Sequence, residues 1–168
     1  GYRSEIRTNF QDFLTPLTRC LSSGLLLWLD YGYARPEYYH PGRSRGTLRT
    51  FSNHRAAEDP LARPGEIDIT AHVDFTAVAE AGMAIGCPPL QFQNQGTWLT
   101  EAARDWLISL EGSPDPAALR QFQTLTHPAH LGGSFHVLEI AWNQPAPPLA
   151  AGDSHRLALR ACRGSAPR

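Results

Sequence analysis

Five apolar side chains in succession, Leu25, Leu26, Leu27, Trp28 and Leu29, carry neither a helical stripe nor an alternation, and they stop at Asp30 before the turn-former Gly32. A short apolar run bounded by Gly24 and Gly32 predicts a strand covered on both faces. Such strands sit in the middle of a parallel sheet packed between helices. Ligands of open α/β sheets bind outside the carboxyl ends of the strands, which puts Asp30, Tyr31 and Gly32 at the ligand edge.

The pattern on either side of this strand is helical. Phe10, Phe13, Leu14, Leu17 and Leu21 recur at helical spacing after Thr8 and Gln11, which have the spacing of a capping box, so a helix is predicted over 9–21. Pro16 lies inside it and removes one backbone hydrogen bond. Downstream, Asp74 is the expected cap of a helix over 75–85 that closes at Gly86, with Val78, Ala81 and Ile85 facing the sheet. Residues 87–93 read as a strand with Leu90 and Phe92 on one face. A helix over 98–110 with a Trp98, Ala102, Trp106 and Leu110 stripe comes next, then a helix from Pro116 capped by Asp115. Residues 134–142 read as a closing strand. The Ala-, Pro- and Arg-rich stretch 143–168 reads as a tail, with a short strand open over 155–161.

Between residues 34 and 66 neither period holds, and Pro36, Pro41, Gly42, Gly46, Pro60, Pro64 and Gly65 punctuate the chain, with a short strand over 47–51. Tyr38, Tyr39 and Phe51 argue against disorder, which is poor in aromatics. A long folded loop inside a small domain is expected to be functional.

Composition narrows the class. The 168 residues, 42% of them hydrophobic, suit one domain, with residues 1–142 as its body and 34–74 as an insertion. A net charge of -1 offers no field for nucleic acid or a membrane surface. The absence of lysine is read as the mark of a GC-rich, bacterial genome. Cys20, Cys87 and Cys162 are odd in number and far apart, which fits a reducing cytoplasm rather than a disulfide framework. No apolar run reaches the roughly 20 residues that span a bilayer. The chain opens on Gly1 with a helix and a central-type strand following at once, so a preceding N-terminal portion is expected.

Three segments carry a resemblance. LWLDYGYARPEYYHPGRSRGTLRTF, NHRAAEDPLARPGEIDITAHVDFTAVAEA and SFHVLEIAW together resemble the C-terminal half of MidA-like class I methyltransferases, which use S-adenosylmethionine (SAM). That family includes the arginine methyltransferase that assists mitochondrial complex I assembly. The resemblance implies an α/β fold, the C-terminal part of a Rossmann-like class I methyltransferase sheet. Residues 25–30, 87–93 and 135–142 would be its fifth, sixth and antiparallel seventh strands. It also implies a protein partner as substrate, such as a respiratory-chain subunit. Nothing here corresponds to the family's Gly-rich cofactor loop, so the isolated chain is expected not to bind SAM tightly. The alternative is a noncatalytic binding module that lacks the cofactor half. An exposed flank on the strand 25–30 would promote self-association.

Methyl transfer to a guanidine nitrogen needs carboxylates that orient the guanidinium fork and a group that accepts a proton. Asp68 and Asp59 are the expected catalytic carboxylates and His40 the expected catalytic histidine. Tyr39, Arg43, His54, Thr70, His72 and Asp74 are expected to line the substrate side, with Asp30, Tyr31 and Gly32 toward the cofactor. Glu37 and Glu58 are further carboxylates of the same edge. The plain alternatives are a helix cap for Asp74, a surface turn for Asp59 and a hydrogen-bonded structural role for His54. His72 and Asp74 offer two metal ligands without a third, so no metal is assigned, and a metal hydrolase using them with His40 is the weakest reading. Glu37, Glu58, Asp59, Glu66 and Asp68 interrupt the arginines of the insertion, which favours internal ion pairs over RNA binding.

Overall fold

The computed structural model describes residues 1–20, 22–52, 55–57, 59–61, 63–112 and 115–143. His54, Glu58 and the open strand over 155–161 lie outside them. Helix α1 (Phe10–Arg19) precedes strand β1 (Gly24–Tyr33). The insertion then contributes α2 (Arg35–Tyr38), a 3-10 turn at Pro41–Arg43, and strands β2 (Arg49–Ser52), β3 (Arg55–Ala57) and β4 (Asp68–Thr70). Strand β5 (Val73–Asp74) leads into α3 (Phe75–Ala84), followed by β6 (Pro89–Asn94), α4 (Gln95–Ala102), α5 (Arg104–Ser109), α6 (Pro116–Thr126), α7 (Leu131–Ser134) and β7 (Phe135–Trp142).

Two sheets form among the described residues. The main sheet has the order β5-β1-β7-β6, and the insertion builds a smaller one of order β3-β2-β4. Strand β7 runs antiparallel to β1 from Gly24↔Trp142 to Tyr31↔Phe135 and antiparallel to β6 on its other side. Only Gly32 and Tyr33 pair with β5, in parallel. Among the described residues the expected flank of β1 is therefore unpaired over residues 24–31.

One face of this sheet is covered. Phe10 and Leu14 of α1 and Phe75, Val78 and Ala79 of α3 pack on Phe92, Leu138, Ile140 and Trp142, with Leu26 and Trp28 against them. Phe10 and Phe13 meet the Trp28 ring edge-on, at 6.0 and 5.7 Å between centroids. Over β6 and β7 the other face is held by α4, where the Trp98 indole N–H donates to the Glu139 carboxylate at 2.6 Å. Over β1 no element among the described residues covers it: Leu25, Leu27 and Leu29 are 49, 43 and 49% exposed. The expectation of a strand covered on both faces is corrected here. Its side chains alternate between half-buried and exposed, because both α1 and α3 lie on one side. The neighbours of β1 also differ from a parallel sheet's interior, since its long pairing is antiparallel.

Smaller differences have local causes. The Thr8 and Gln11 capping box does not form: Asn9 is the residue before α1 and makes no side-chain cap bond. Pro16 is tolerated because it sits on the exposed side of α1, where water can serve the carbonyl it leaves free. The helix read over 98–110 starts three residues earlier, since the Asn94 side chain accepts the Thr97 amide, and it is divided at Ala103 into α4 and α5. The capped helices at Asp74 and Asp115 and the closing strand at Phe135–Trp142 are where the pattern places them.

Candidate functional site

The carboxyl end of β1 opens into a cleft of about 620 Å³ between the two sheets and the α7–β7 junction. Strand alternation puts Tyr31 and Tyr33 on one face of β1, and both line it. Thr47, Arg49 and Phe51 line it from the loop before β2 and from β2 itself. Thr70 and His72 enter from the segment joining β4 to β5, and Gly133 and Ser134 from α7. The walls therefore combine three aromatic rings, one arginine, one imidazole and the aliphatic hydroxyls of Thr47, Thr70 and Ser134.

The aromatic groups are held against each other. The Tyr31 ring lies 3.9 Å from that of Phe135, its directly paired neighbour on β7. His72 stacks on Tyr33 at 5.1 Å and 15°, and the Arg43 guanidinium carbon lies 3.8 Å from the centroid of the same Tyr33 ring. The Arg43 Nε also donates to the Glu37 carbonyl at 3.1 Å, which fixes it there. Burial holds the His72 imidazole below its ordinary pKa, and the nearby Arg43 charge acts in the same direction. His72 is thus a neutral ring at neutral pH, and its buried Nδ1 has no hydrogen-bond partner among the described residues.

The expected site residues divide into three groups. Tyr31, Thr70 and His72 come together in the cleft, and Arg43 reaches it through Tyr33. Asp68 sits at the exposed start of β4, linked to the cleft wall by the Thr70 hydroxyl, which donates to its carboxylate at 3.3 Å. The remainder have local partners. Asp74 is buried, accepts the Ala77 amide at 3.1 Å as the cap of α3, and pairs with Arg35 Nε at 3.3 Å. Arg35 binds Glu80 through both terminal nitrogens, at 2.8 and 2.6 Å. His40 accepts the Gly42 amide at 3.1 Å, Asp59 accepts the Leu61 amide at 2.9 Å, and the Tyr39 hydroxyl donates to the Glu5 carbonyl at 3.1 Å. His40, Asp59 and Tyr39 do not line the cleft.

Of the residues expected toward the cofactor, Tyr31 lines the cleft, and Asp30 and Gly32 have local neighbours. Asp30 accepts the Tyr31 amide at 2.7 Å. Gly32 has no side chain because a Cβ there would strike the Val73 carbonyl and come within 2.6 Å of the Phe75 ring. The room it leaves is filled by β5 and α3. Three or more His, Cys, Asp or Glu side chains able to share a metal ion do not gather among the described residues. Sequence reasoning missed Thr47, Arg49, Gly133 and Ser134, and did not assign Tyr33 and Phe51 to the site. Thr47 and Arg49 lie at a sheet folded from the aperiodic insertion, and Gly133 and Ser134 on a one-turn helix hidden by the Gly132-Gly133 pair.

The geometry can be set beside known proteins. Residues 1–93 match the family described as "Putative S-adenosyl-L-methionine-dependent methyltransferase". The chain belongs to this SAM-dependent methyltransferase family. Relatives within it include the mitochondrial protein arginine methyltransferase NDUFAF7 homolog of Drosophila melanogaster, 32% identical over 126 residues that make up 70% of this chain and 26% of that protein. The mitochondrial protein arginine methyltransferase NDUFAF7 of Rattus norvegicus is 30% identical over 131 residues, 73% of this chain and 28% of that one. A structure from Burkholderia thailandensis described as a "likely methyl transferase", with S-adenosyl-homocysteine bound, superposes with a TM-score of 0.74 at 31% identity, over 94% of this chain and 42% of that chain. A second structure from the same organism gives 0.75 at 31% identity, over 94% and 44%. The chain thus spans between a quarter and a third of the curated relatives' length and under half of the solved structures. The relatives named here are mitochondrial proteins, so the expected cytoplasmic location has no support from them; no helix among the described residues is long and apolar enough to cross a membrane.

Proposed function

We propose that this chain is the substrate-side part of a SAM-dependent protein methyltransferase that modifies arginine, with residues 1–142 forming the C-terminal part of its domain. The observation that carries the reading is the aromatic cleft at the carboxyl end of β1, the position at which α/β sheets take ligands, roofed by the insertion 34–74. In this reading β1, β6 and β7 are the fifth, sixth and seventh strands of the class I sheet. Their order β1-β7-β6 and the antiparallel course of β7 support that numbering.

The chemistry of the walls suits a guanidinium. Aromatic faces attract a flat cation, and Arg43 over Tyr33 is an internal instance of that pairing in the same molecule. Tyr31 and Phe51, 37 and 38% exposed, offer further ring surface to an incoming arginine. Asp68 at the rim serves to orient the fork, and the neutral His72 serves as a proton acceptor or hydrogen-bond partner. No part in this scheme falls to His40 or Asp59, which do not line the cleft and each bind an amide of their own turn. The protein partner is proposed on the names of the relatives, and a respiratory-chain subunit on the family resemblance.

The test uses the full-length protein that carries this chain, tritiated SAM, and an extract of cells lacking that protein. Label recovered as methylarginine in one or a few proteins is the expected result. Label confined to other residues would overturn arginine as the target. No transfer, together with stable capture of a partner, would favour a noncatalytic binding module.

A further inference from the structure

Glu5 belongs to no motif, and its side chain holds the back of the cleft together. Its Oε1 accepts the amides of Thr47 and Leu48 at 2.9 and 2.7 Å. Its Oε2 accepts the hydroxyls of Thr47 and Tyr38 at 3.2 and 3.3 Å. Gly46, at a φ of +70°, makes the turn that brings those two amides together, and a Cβ there would run into the Glu5 carboxylate. The Arg3 amide donates to the Ser44 carbonyl at 2.9 Å and ties the same N-terminal segment to the loop.

The network continues to His72 with a fixed direction. A hydroxyl has one proton, and Thr47 gives it to Glu5, so the oxygen is left to accept the His72 amide at 3.0 Å. The buried Tyr38 hydroxyl lies 3.4 Å from the His72 carbonyl. The backbone N–H of His72 is thereby held by a side chain anchored on Glu5, while Tyr38, whose one proton goes to Glu5 in this arrangement, lies beside the His72 carbonyl. Charge-assisted bonds of this kind are stronger than neutral ones, so the anion matters as well as the shape.

We propose that Glu5 is the positioning residue of the cleft: through Thr47 it fixes the backbone N–H of His72 and so keeps the imidazole stacked on Tyr33 at the cleft wall. The inference rests on the reading of this cleft as the substrate side of a methyltransferase. The groups that face His72 are Arg43 from the 3-10 turn, Arg49 from β2, the Thr47 backbone, and Asp30, Tyr31 and Tyr33 from β1.

The experiment follows the His72 imidazole by NMR in the histidine-labelled full-length protein, its signal assigned by its loss in His72→Gln. Glu5→Gln, Thr47→Val and Thr47→Ser are compared. In the first two the His72 titration midpoint should rise toward the ordinary imidazole value of about 6.5 as the ring loses its cover. The turnover number for methyl transfer from tritiated SAM should fall about tenfold with the Michaelis constant for SAM unchanged. Thr47→Ser, which keeps the hydroxyl, should retain the wild-type midpoint and rate. Folded Glu5→Gln and Thr47→Val proteins with an unmoved His72 midpoint would overturn the proposal, as would a Thr47→Ser protein that behaves like Thr47→Val. Should Glu5→Gln fail to fold, Thr47→Val decides, since it leaves the two amide bonds to Glu5 in place. Wild-type methyl transfer by His72→Gln would instead defeat the reading of the cleft, while the NMR comparison would still judge the positioning role.

Discussion

The two faces of strand β1 are alike in composition and opposite in environment. Leu26 and Trp28 point into the layer made by α1 and α3, where Phe75, Val78 and Leu138 reach complete burial. Leu25, Leu27 and Leu29 point the other way and remain about half exposed. Burying apolar surface stabilises by roughly 25 cal/mol per Å², so only the first face contributes fully to holding the described fold together. The second is an apolar stripe beside an unpaired strand flank, which in a free chain is a template for association. Stability therefore resides under α1 and α3, and the proposed site lies at the end of the other face, where Tyr31 and Tyr33 continue the stripe into the cleft.

Substitutions on the two faces should separate these roles, most sharply at the core. Phe75→Ala should cost about 3–5 kcal/mol, because the cavity it leaves is enclosed by the sheet and α1, and urea unfolding monitored by circular dichroism reads it. Leu27→Ala on the half-exposed face should cost under about 1 kcal/mol in the same assay. Equal costs would mean that this face is covered in solution. Gly32→Ala should rank close to the core change, at about 1–3 kcal/mol, because its Cβ meets the Val73 carbonyl and Phe75 rather than open space.

Acid should weaken the fold in two steps. Burial holds His72 below its unfolded value of 6.5, so the unfolded chain binds more protons and stability falls as pH drops through and below 6.5. For Glu5, burial raises the carboxyl pKa, but the amide bonds from Thr47 and Leu48 outweigh it and leave a net lowering from 4.5. Its contribution is present above 4.5 and is lost as pH falls through the lower folded value. Thermal melts between pH 7.5 and 3.5 should show both steps, and His72→Gln should remove the upper one alone. The smallest effect on stability and the clearest on behaviour is Leu27→Lys: the 168-residue chain should self-associate less in analytical ultracentrifugation with its melting temperature nearly unchanged.

Much of this arrangement was legible in the residues and the rest was not, for identifiable reasons. Asp74 and Asp115 announced helix starts because a cap is a local contact, decided within three residues. Phe135–Trp142 read correctly as a strand because its pattern is continuous. The coverage of β1 was misread because an unbroken apolar run reports what a strand can bury and not which neighbours bury it. The cleft was visible in part. Tyr31, Thr70 and His72 were named from the motifs, whereas Thr47 and Arg49 depend on a small sheet closed by pairings such as Arg49↔Thr70 across an aperiodic loop. Glu5 was invisible, since its partners are 42 and 43 residues away and no period links them.

The central claim is that the cleft at the end of β1 serves the substrate and not the cofactor. Calorimetric titration of SAM into the full-length protein, run beside methylarginine formation by the same samples, tests it in wild type, Tyr31→Ala and His72→Gln. The account expects both variants to keep their affinity for SAM within about twofold while methyl transfer drops tenfold or more. A loss of SAM affinity that matches the loss of rate would place the cofactor in this cleft, and unchanged rates in both variants would place the reaction elsewhere.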